Sequence, residues 1–171
     1  MLPLPFAMED QSFKSCCGKH ICMGCTLTMM KEEVQKGKKK EDIGLCPFCR
    51  EPPAHSDEEE VARVKKLTEK GNAYGLYTLA GFYDRGRFGV PRDAAKANEL
   101  YLKAGELGCA VAYFNLGCSY EEGRGVTIDK KKAKYYWELA AMGGSLKSRY
   151  NLGCVEEDAG KFHQAFKHYV I

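Results

Sequence analysis

The sequence lacks any run of about 18 consecutive apolar residues, the length at which an α-helix can cross a bilayer. Its start, MLPLPFAMED, lacks the basic and continuous apolar regions of a secretory signal. Charge of one sign is also scarce, because 26 Lys and Arg residues face 23 Asp and Glu residues, for a net charge of +3. We therefore expect an intracellular location, in the cytoplasm rather than the nucleus, with neither a nucleic-acid nor a membrane partner.

What the chain has in abundance is cysteine near its start. It contains nine cysteines, and six of them lie within the first 50 residues: Cys16, Cys17, Cys22, Cys25, Cys46 and Cys49. In a reducing compartment, C-x-x-C spacing is typical of metal binding rather than of disulfides. Two thiolates on a tight turn can bind one side of a zinc tetrahedron, and a second such pair completes it. We therefore predict a zinc-binding module over residues 1–53.

The most specific part of this module is "SCCGKHICMGC", which is followed after 20 intervening residues by "CPFCR". These two segments resemble the second half of a RING finger, the two-zinc domain of ubiquitin ligases. In that family four ligand pairs alternate, so that the first and third pairs bind one zinc and the second and fourth bind the other. The resemblance implies that Cys22 and Cys25 are the third pair and that Cys46 and Cys49 are the fourth.

The other two ligand pairs are less regular. The second pair is either Cys17 with Cys16 or Cys17 with His20, and the sequence leaves both alternatives open. The first pair is absent, and Met1–Pro5 resembles the stretch that follows such a pair, which predicts that the chain begins within the motif. One zinc site would then be complete and the other only half built. We expect this chain to be weak or inactive in ubiquitin transfer.

A RING finger forms no covalent intermediate, but positions a ubiquitin-charged conjugating enzyme for attack by a substrate lysine. The resemblance places Pro47 in the loop that touches the conjugating enzyme and Arg50 where a cation bonds to ubiquitin. It implies no catalytic residue in the strict sense. Two alternatives remain: a non-catalytic adaptor with a structural zinc module, and another treble-clef-like zinc module that binds lipid or protein.

The rest of the chain contains an internal repeat. "YTLAGFYDRGRFGVPRDAAKANELYLKAGELG" aligns with "FNLGCSYEEGRGVTIDKKKAKYYWELAAMGG" at a spacing of 36 or 37 residues, with Phe88 inserted in the first turn. A third, shortened copy starts with "YNLGC" at Tyr150. Each copy is predicted to be two helices that bury their apolar faces against neighbouring copies. The pattern resembles the Sel-1-like repeat, a relative of the tetratricopeptide repeat, which implies a scaffold that binds proteins.

A capping helix is predicted ahead of the repeats, because Ser56 and Glu59 form a capping box and Gly71 follows the last basic residues. The predicted fold is mainly α: an α-solenoid of helix–turn–helix repeats preceded by a small, incomplete RING-like zinc module. Its predicted parts are the module 1–53, a capping or linker helix 54–70, repeats at 71–108 and 109–144, and a truncated repeat at 145–171. The predicted function is ubiquitin ligase-like, with a conjugating enzyme and a protein substrate as partners.

Overall fold

The structure, a computed structural model, describes residues 11–37 and 45–170. Its elements in chain order are β1 Gln11–Lys14, β2 Lys19–Cys22, α1 Met23–Gln35, α2 Asp57–Glu69, α3 Ala73–Arg85, α4 Ala94–Glu106, α5 Ala110–Glu122, α6 Lys130–Met142, α7 Leu146–Asp158 and α8 Phe162–Tyr169. None of the helices in these two ranges is long and apolar enough to cross a membrane. The prediction for Met1–Pro5 lies outside the described residues.

The β1–β2 hairpin is antiparallel, with Lys14 paired to Lys19 and the pair Cys16–Cys17 in its turn. The N–H groups of Cys17 and Gly18 both donate to the carbonyl oxygen of Lys14, which closes the turn. Gly18 has a φ of 71°, in the left-handed region that favours glycine. A Cβ at this position would lie 2.6 Å from the side chain of Asn72, so the hairpin turn can approach the solenoid only because this residue is glycine.

Helix α2 begins as its capping residues predict. The Ser56 hydroxyl accepts a hydrogen bond from the N–H of Glu59, and the Glu59 carboxylate accepts one from the N–H of His55. The helix buries three apolar side chains, Val61, Val64 and Leu67, along the side that packs on α3. It therefore covers the apolar face of the first repeat, where the second helix of a preceding repeat would otherwise lie.

The three hairpins α3–α4, α5–α6 and α7–α8 stack in order, so each helix packs mainly on its sequence neighbours. Repeat glycines let aromatic rings rest directly on helix backbone. A Cβ on Gly117 would lie 2.5 Å from the Trp137 ring, and one on Gly153 would lie 2.3 Å from the Tyr169 ring. These glycines occupy equivalent positions in successive repeats, so the close approach of ring and backbone is itself repeated.

Polar contacts also connect successive repeats. The Asn98 side chain donates to the carbonyl oxygen of Arg124 at 2.7 Å, and the Arg124 guanidinium pairs with Asp84 at 3.1 Å. Farther along, Lys134 of α6 pairs with the buried carboxylate of Glu156 on α7. The pKa of Glu156 is held below its ordinary value by the hydrogen bond from Lys134. The stacking of repeats is thus specified by hydrogen bonds and charge pairs as well as by apolar packing.

Candidate metal centre

Two turns far apart in the sequence bring four thiols together. Cys16 and Cys17 lie in the β1–β2 turn, and Cys46 and Cys49 lie in a tight turn just after residues 38–44, which the structure does not describe. The Sγ atoms of all four lie within 4.8 Å of one another. This group joins the predicted fourth ligand pair to the predicted second pair.

Backbone hydrogen bonds explain why the "CPFCR" segment presents its two thiols on one side. The N–H of Arg50 donates to the carbonyl oxygen of Cys46 at 2.9 Å, and the N–H of Cys46 donates to that of Glu51 at 2.8 Å. Arg50 has a φ of 64°, an uncommon value for a residue with a side chain. The chain therefore reverses tightly at Arg50, and Cys46 and Cys49 face the hairpin turn together.

The spacing of the sulfur atoms suits a tetrahedral metal ion. Zinc–sulfur bonds of about 2.3 Å place neighbouring sulfur atoms about 3.8 Å apart. The Sγ atoms of Cys17 and Cys46 are 3.7 Å apart, and those of Cys49 and Cys16 are 3.4 Å apart. Both separations are well above the roughly 2.05 Å of a disulfide. The four side chains could therefore hold one zinc ion in a closed, structural type of site.

The protonation of these thiols reflects two opposing influences. Burial raises the pKa of Cys16 and of Cys17. Burial also acts on Cys46, but the N–H groups of Cys49 and Phe48 favour its thiolate and lower the pKa of this thiol to about 7. A bound cation deprotonates the thiols that coordinate it. Cys46 therefore ionises more readily than Cys16 or Cys17 before any cation binds.

His20, the alternative partner of Cys17, lies elsewhere. Its ring meets the ring of Tyr74 edge-on, with centroids 3.9 Å apart, and its centroid lies 5.3 Å from that of Phe13. Burial lowers the pKa of His20. Of the two alternatives for the second pair, the structure places Cys16 rather than His20 beside Cys17. Tyr74 belongs to α3, so His20 contacts the solenoid instead of the thiols.

The remaining predicted residues lie around this centre. Cys22 ends β2, and its side chain is outside what the structure describes; Cys25 is exposed at the start of α1 and is not part of the four-thiol group. Pro47 is half-buried, whereas Arg50 is exposed. Between them Phe48 is also exposed, with the Lys19 ammonium 5.1 Å from its ring centroid. The turn thus presents an aromatic ring and a cation at the surface.

Contacts that sequence reasoning missed attach this module to α2. The Ser15 hydroxyl donates to the Glu60 carboxylate at 2.7 Å, and the Arg63 guanidinium donates to the carbonyl oxygen of Pro52 at 2.7 Å. Arg63 also pairs with Glu59 one turn earlier in the helix. Arginine next to a run of glutamates is an ordinary helix pattern, so the sequence offered no signal for the Pro52 contact.

Comparison with known proteins identifies the helical part. Two segments of the chain, 73–109 and 110–145, match the family model of the Sel1 repeat. Residues 73–145 are Sel1 repeats. The ERAD-associated E3 ubiquitin-protein ligase component HRD3A of Arabidopsis thaliana is 31% identical over 102 residues, which cover 60% of this chain and 15% of that protein. The Sel1-containing chain thus spans less than a fifth of the length of this relative.

Solved structures agree with this assignment. A Sel1 repeat protein from Oxalobacter formigenes superimposes with a TM-score of 0.60 at 25% identity, covering 65% of this chain and 46% of that chain. The cysteine rich protein B (hcpB) of Helicobacter pylori superimposes with a TM-score of 0.54 at 25% identity, covering 70% of this chain and 91% of that chain. The α-solenoid predicted from the repeats is therefore confirmed. Such repeats imply protein partners.

Proposed function

We propose that this chain is a scaffold whose Sel1 solenoid holds a partner protein and whose N-terminal module is stabilised by zinc. The observation that carries the proposal is the uninterrupted stack of repeats from α3 to α8 beside a separate four-thiol centre. A stack of this kind offers an extended surface and has no need of a catalytic group. The name of the Arabidopsis relative, a component of a ubiquitin ligase, supports a role within an assembly.

Affinity purification of the chain and of Cys46→Ser, followed by mass spectrometry, tests the scaffold role. Loss of one ligand removes the zinc site but leaves the solenoid, since α3 to α8 bury their own apolar faces. We expect at least one partner to be retained by both proteins. Cys118→Ser, which changes a half-buried thiol within the solenoid, is the matched control. If every partner is lost with Cys46→Ser alone, the solenoid is not the binding element.

The zinc proposal rests on the donor set and its spacing. Four thiols within 4.8 Å of one another match the preference of zinc for sulfur ligands. Metal analysis of protein purified under reducing conditions should find about one tightly held zinc per chain, and less than a tenth of that in Cys46→Ser. Cys118→Ser should retain the metal fully. A purified chain without zinc that also fails to take up added zinc would contradict the proposal.

A second candidate is RING-type ubiquitin transfer by the same module. It is favoured by the pairing of the "CPFCR" thiols with Cys16 and Cys17, as in the alternating arrangement of that family, and by the exposed Phe48 and Arg50. The direct test is discharge of ubiquitin from a panel of charged conjugating enzymes. Arg50→Ala should abolish any acceleration, whereas Lys66→Ala, on the exposed side of α2, should not. If the chain accelerates discharge from none of the enzymes in the panel, this candidate is removed and the scaffold role remains.

A further inference from the structure

The same turn of the first two repeats is built differently. In the α5–α6 turn, Gly125 lies directly against α4: a Cβ there would be 2.5 Å from backbone atoms of Ala94 and Ala95. Gly89 is the equivalent residue of the α3–α4 turn, and nothing beyond its chain neighbours lies within 4 Å of where its Cβ would be. Gly125 therefore contacts α4, whereas Gly89 makes no equivalent contact with α2, and the first turn packs on the buried cluster of α2 and α3 through Phe88 and Val90 instead.

Two sequence differences explain why Gly89 does not contact α2. The first repeat carries one extra residue, Phe88, whose φ is 57° and whose ring packs on Phe82 with centroids 4.5 Å apart. A left-handed conformation at a bulky residue is strained and persists only where the surroundings hold it. In addition, the fifth residue of α2 is Val61, whereas the fifth residue of α4 is Asn98. Valine cannot supply the hydrogen bond that Asn98 donates to the second turn.

Between α2 and the α3–α4 turn lies a groove of about 410 Å³. Its lining is mainly apolar and comes from both sides: Val61, Ala62, Tyr83, Phe88, Val90 and Pro91. Two exposed charges on α2, Glu58 and Lys65, also line it. They are seven residues apart, which on an α-helix is two turns along one face, or about 10.5 Å. The groove thus has an apolar middle, an acidic end and a basic end.

We propose that this groove binds a short extended segment of a partner protein. The segment has about two apolar residues between its flanking charges, since an extended chain advances about 3.3 Å per residue and the charged ends are about 10.5 Å apart, or about three steps. A basic residue flanks them at the Glu58 end and an acidic residue at the Lys65 end. The inference rests on the proposed scaffold role and names the partner chemistry of one surface.

The test uses two synthetic, fluorescein-labelled peptides and the whole chain, with binding measured by fluorescence anisotropy. The probe with mixed ends is Lys-Leu-Val-Glu, and the doubly basic probe is Lys-Leu-Val-Lys. The mixed probe should bind the wild type more tightly. Ala62→Arg places a long charged side chain in the groove at an exposed position, so it should weaken binding at least tenfold without disturbing the core.

Charge-reversal variants test whether Lys65 sets the preference between the two peptides. Lys65→Glu leaves both ends of the groove acidic and should transfer the preference from the mixed to the doubly basic probe. Lys66→Glu changes the net charge equally, but its side chain does not line the groove, so it should leave the preference unchanged. The proposal is overturned if the two reversals act alike, if Ala62→Arg binds as well as the wild type, or if neither peptide binds. If neither peptide binds but the chain still retains partners in the affinity purification, the scaffold role stands without this groove.

Discussion

The N-terminal module with its four thiols and the solenoid differ in what holds them together. Among the side chains whose burial the structure describes, the only buried apolar one before α2 is that of Cys46, whereas every helix from α2 to α8 buries at least one. Helix α1 instead exposes Leu27, Met30 and Val34. A segment this small cannot bury enough apolar surface to fold alone and usually needs a metal or disulfides. The comparison suggests that the module depends on its thiols, while the solenoid depends on packing between repeats.

The largest expected effect comes from removing a ligand of the proposed zinc site. In Cys46→Ser, the module should lose its folded structure, because structural zinc sites in small domains supply about 10 kcal/mol or more of folding free energy. The amide NMR signals of β1 and β2 should collapse to unfolded positions. The helical circular dichroism of the solenoid should change little. If β1 and β2 stay folded in Cys46→Ser without zinc, the module is stable through its own packing, and the proposed difference from the solenoid is wrong.

The second prediction concerns packing between repeats. Leu152 is 1% exposed and packs with Ala133 and Trp137, so Leu152→Ala should lower the free energy of unfolding by about 2–5 kcal/mol. Leu107→Ala is the matched control, since Leu107 is 54% exposed and its change should stay within about 0.5 kcal/mol. Urea unfolding followed by circular dichroism measures both. Equal losses in the two variants would mean that repeat packing does not carry the stability of the solenoid.

The third prediction addresses the contact between the two regions. A double-mutant cycle with His20→Ala and Tyr74→Ala should give a coupling free energy of about 0.5–1.5 kcal/mol, because the two rings meet edge-on. The coupling free energy is measured from the hydrogen exchange of the β2 amides. Tyr135→Ala, at an exposed tyrosine of α6, replaces Tyr74→Ala in the control cycle and should give no coupling to His20. Zero coupling in the first cycle would show that the module and the solenoid are energetically independent.

The smallest effect is expected at Glu156, through its charge. Its folded pKa lies below the ordinary value of 4.5, because Lys134 stabilises the carboxylate. The stabilisation of the folded state by the ionised Glu156 carboxylate is therefore present above about pH 4.5. It is lost as the pH falls through the folded pKa. Thermal unfolding between pH 6 and pH 3 should show a larger loss of Tm in the wild type than in Glu156→Gln. Parallel curves would assign the solenoid's acid sensitivity to other carboxylates.

Much of the solenoid could be predicted from local sequence. The capping box at Ser56 and Glu59 and the recurrent leucines and glycines act through contacts within a helix or with the next repeat, so their spacing is visible along the chain. The sequence was enough to predict that cysteines of the two segments come together. The choice between Cys16 and His20 was not, because it depends on Tyr74, more than 50 residues away. The insertion of Phe88 was visible, but the groove it opens was not.

One hydrogen bond has a geometric consequence for whatever this protein assembles. Arg63 holds the carbonyl oxygen of Pro52, so the short segment that joins the thiol centre to α2 is fastened near its middle. A flexible linker would let two bound proteins sample a broad range of separations and would dilute one with respect to the other. Here the fastened segment would narrow the range of separations between a protein on the first repeat and one at the proposed binding turn of Phe48 and Arg50. The chain would then act more as a spacer than as a tether.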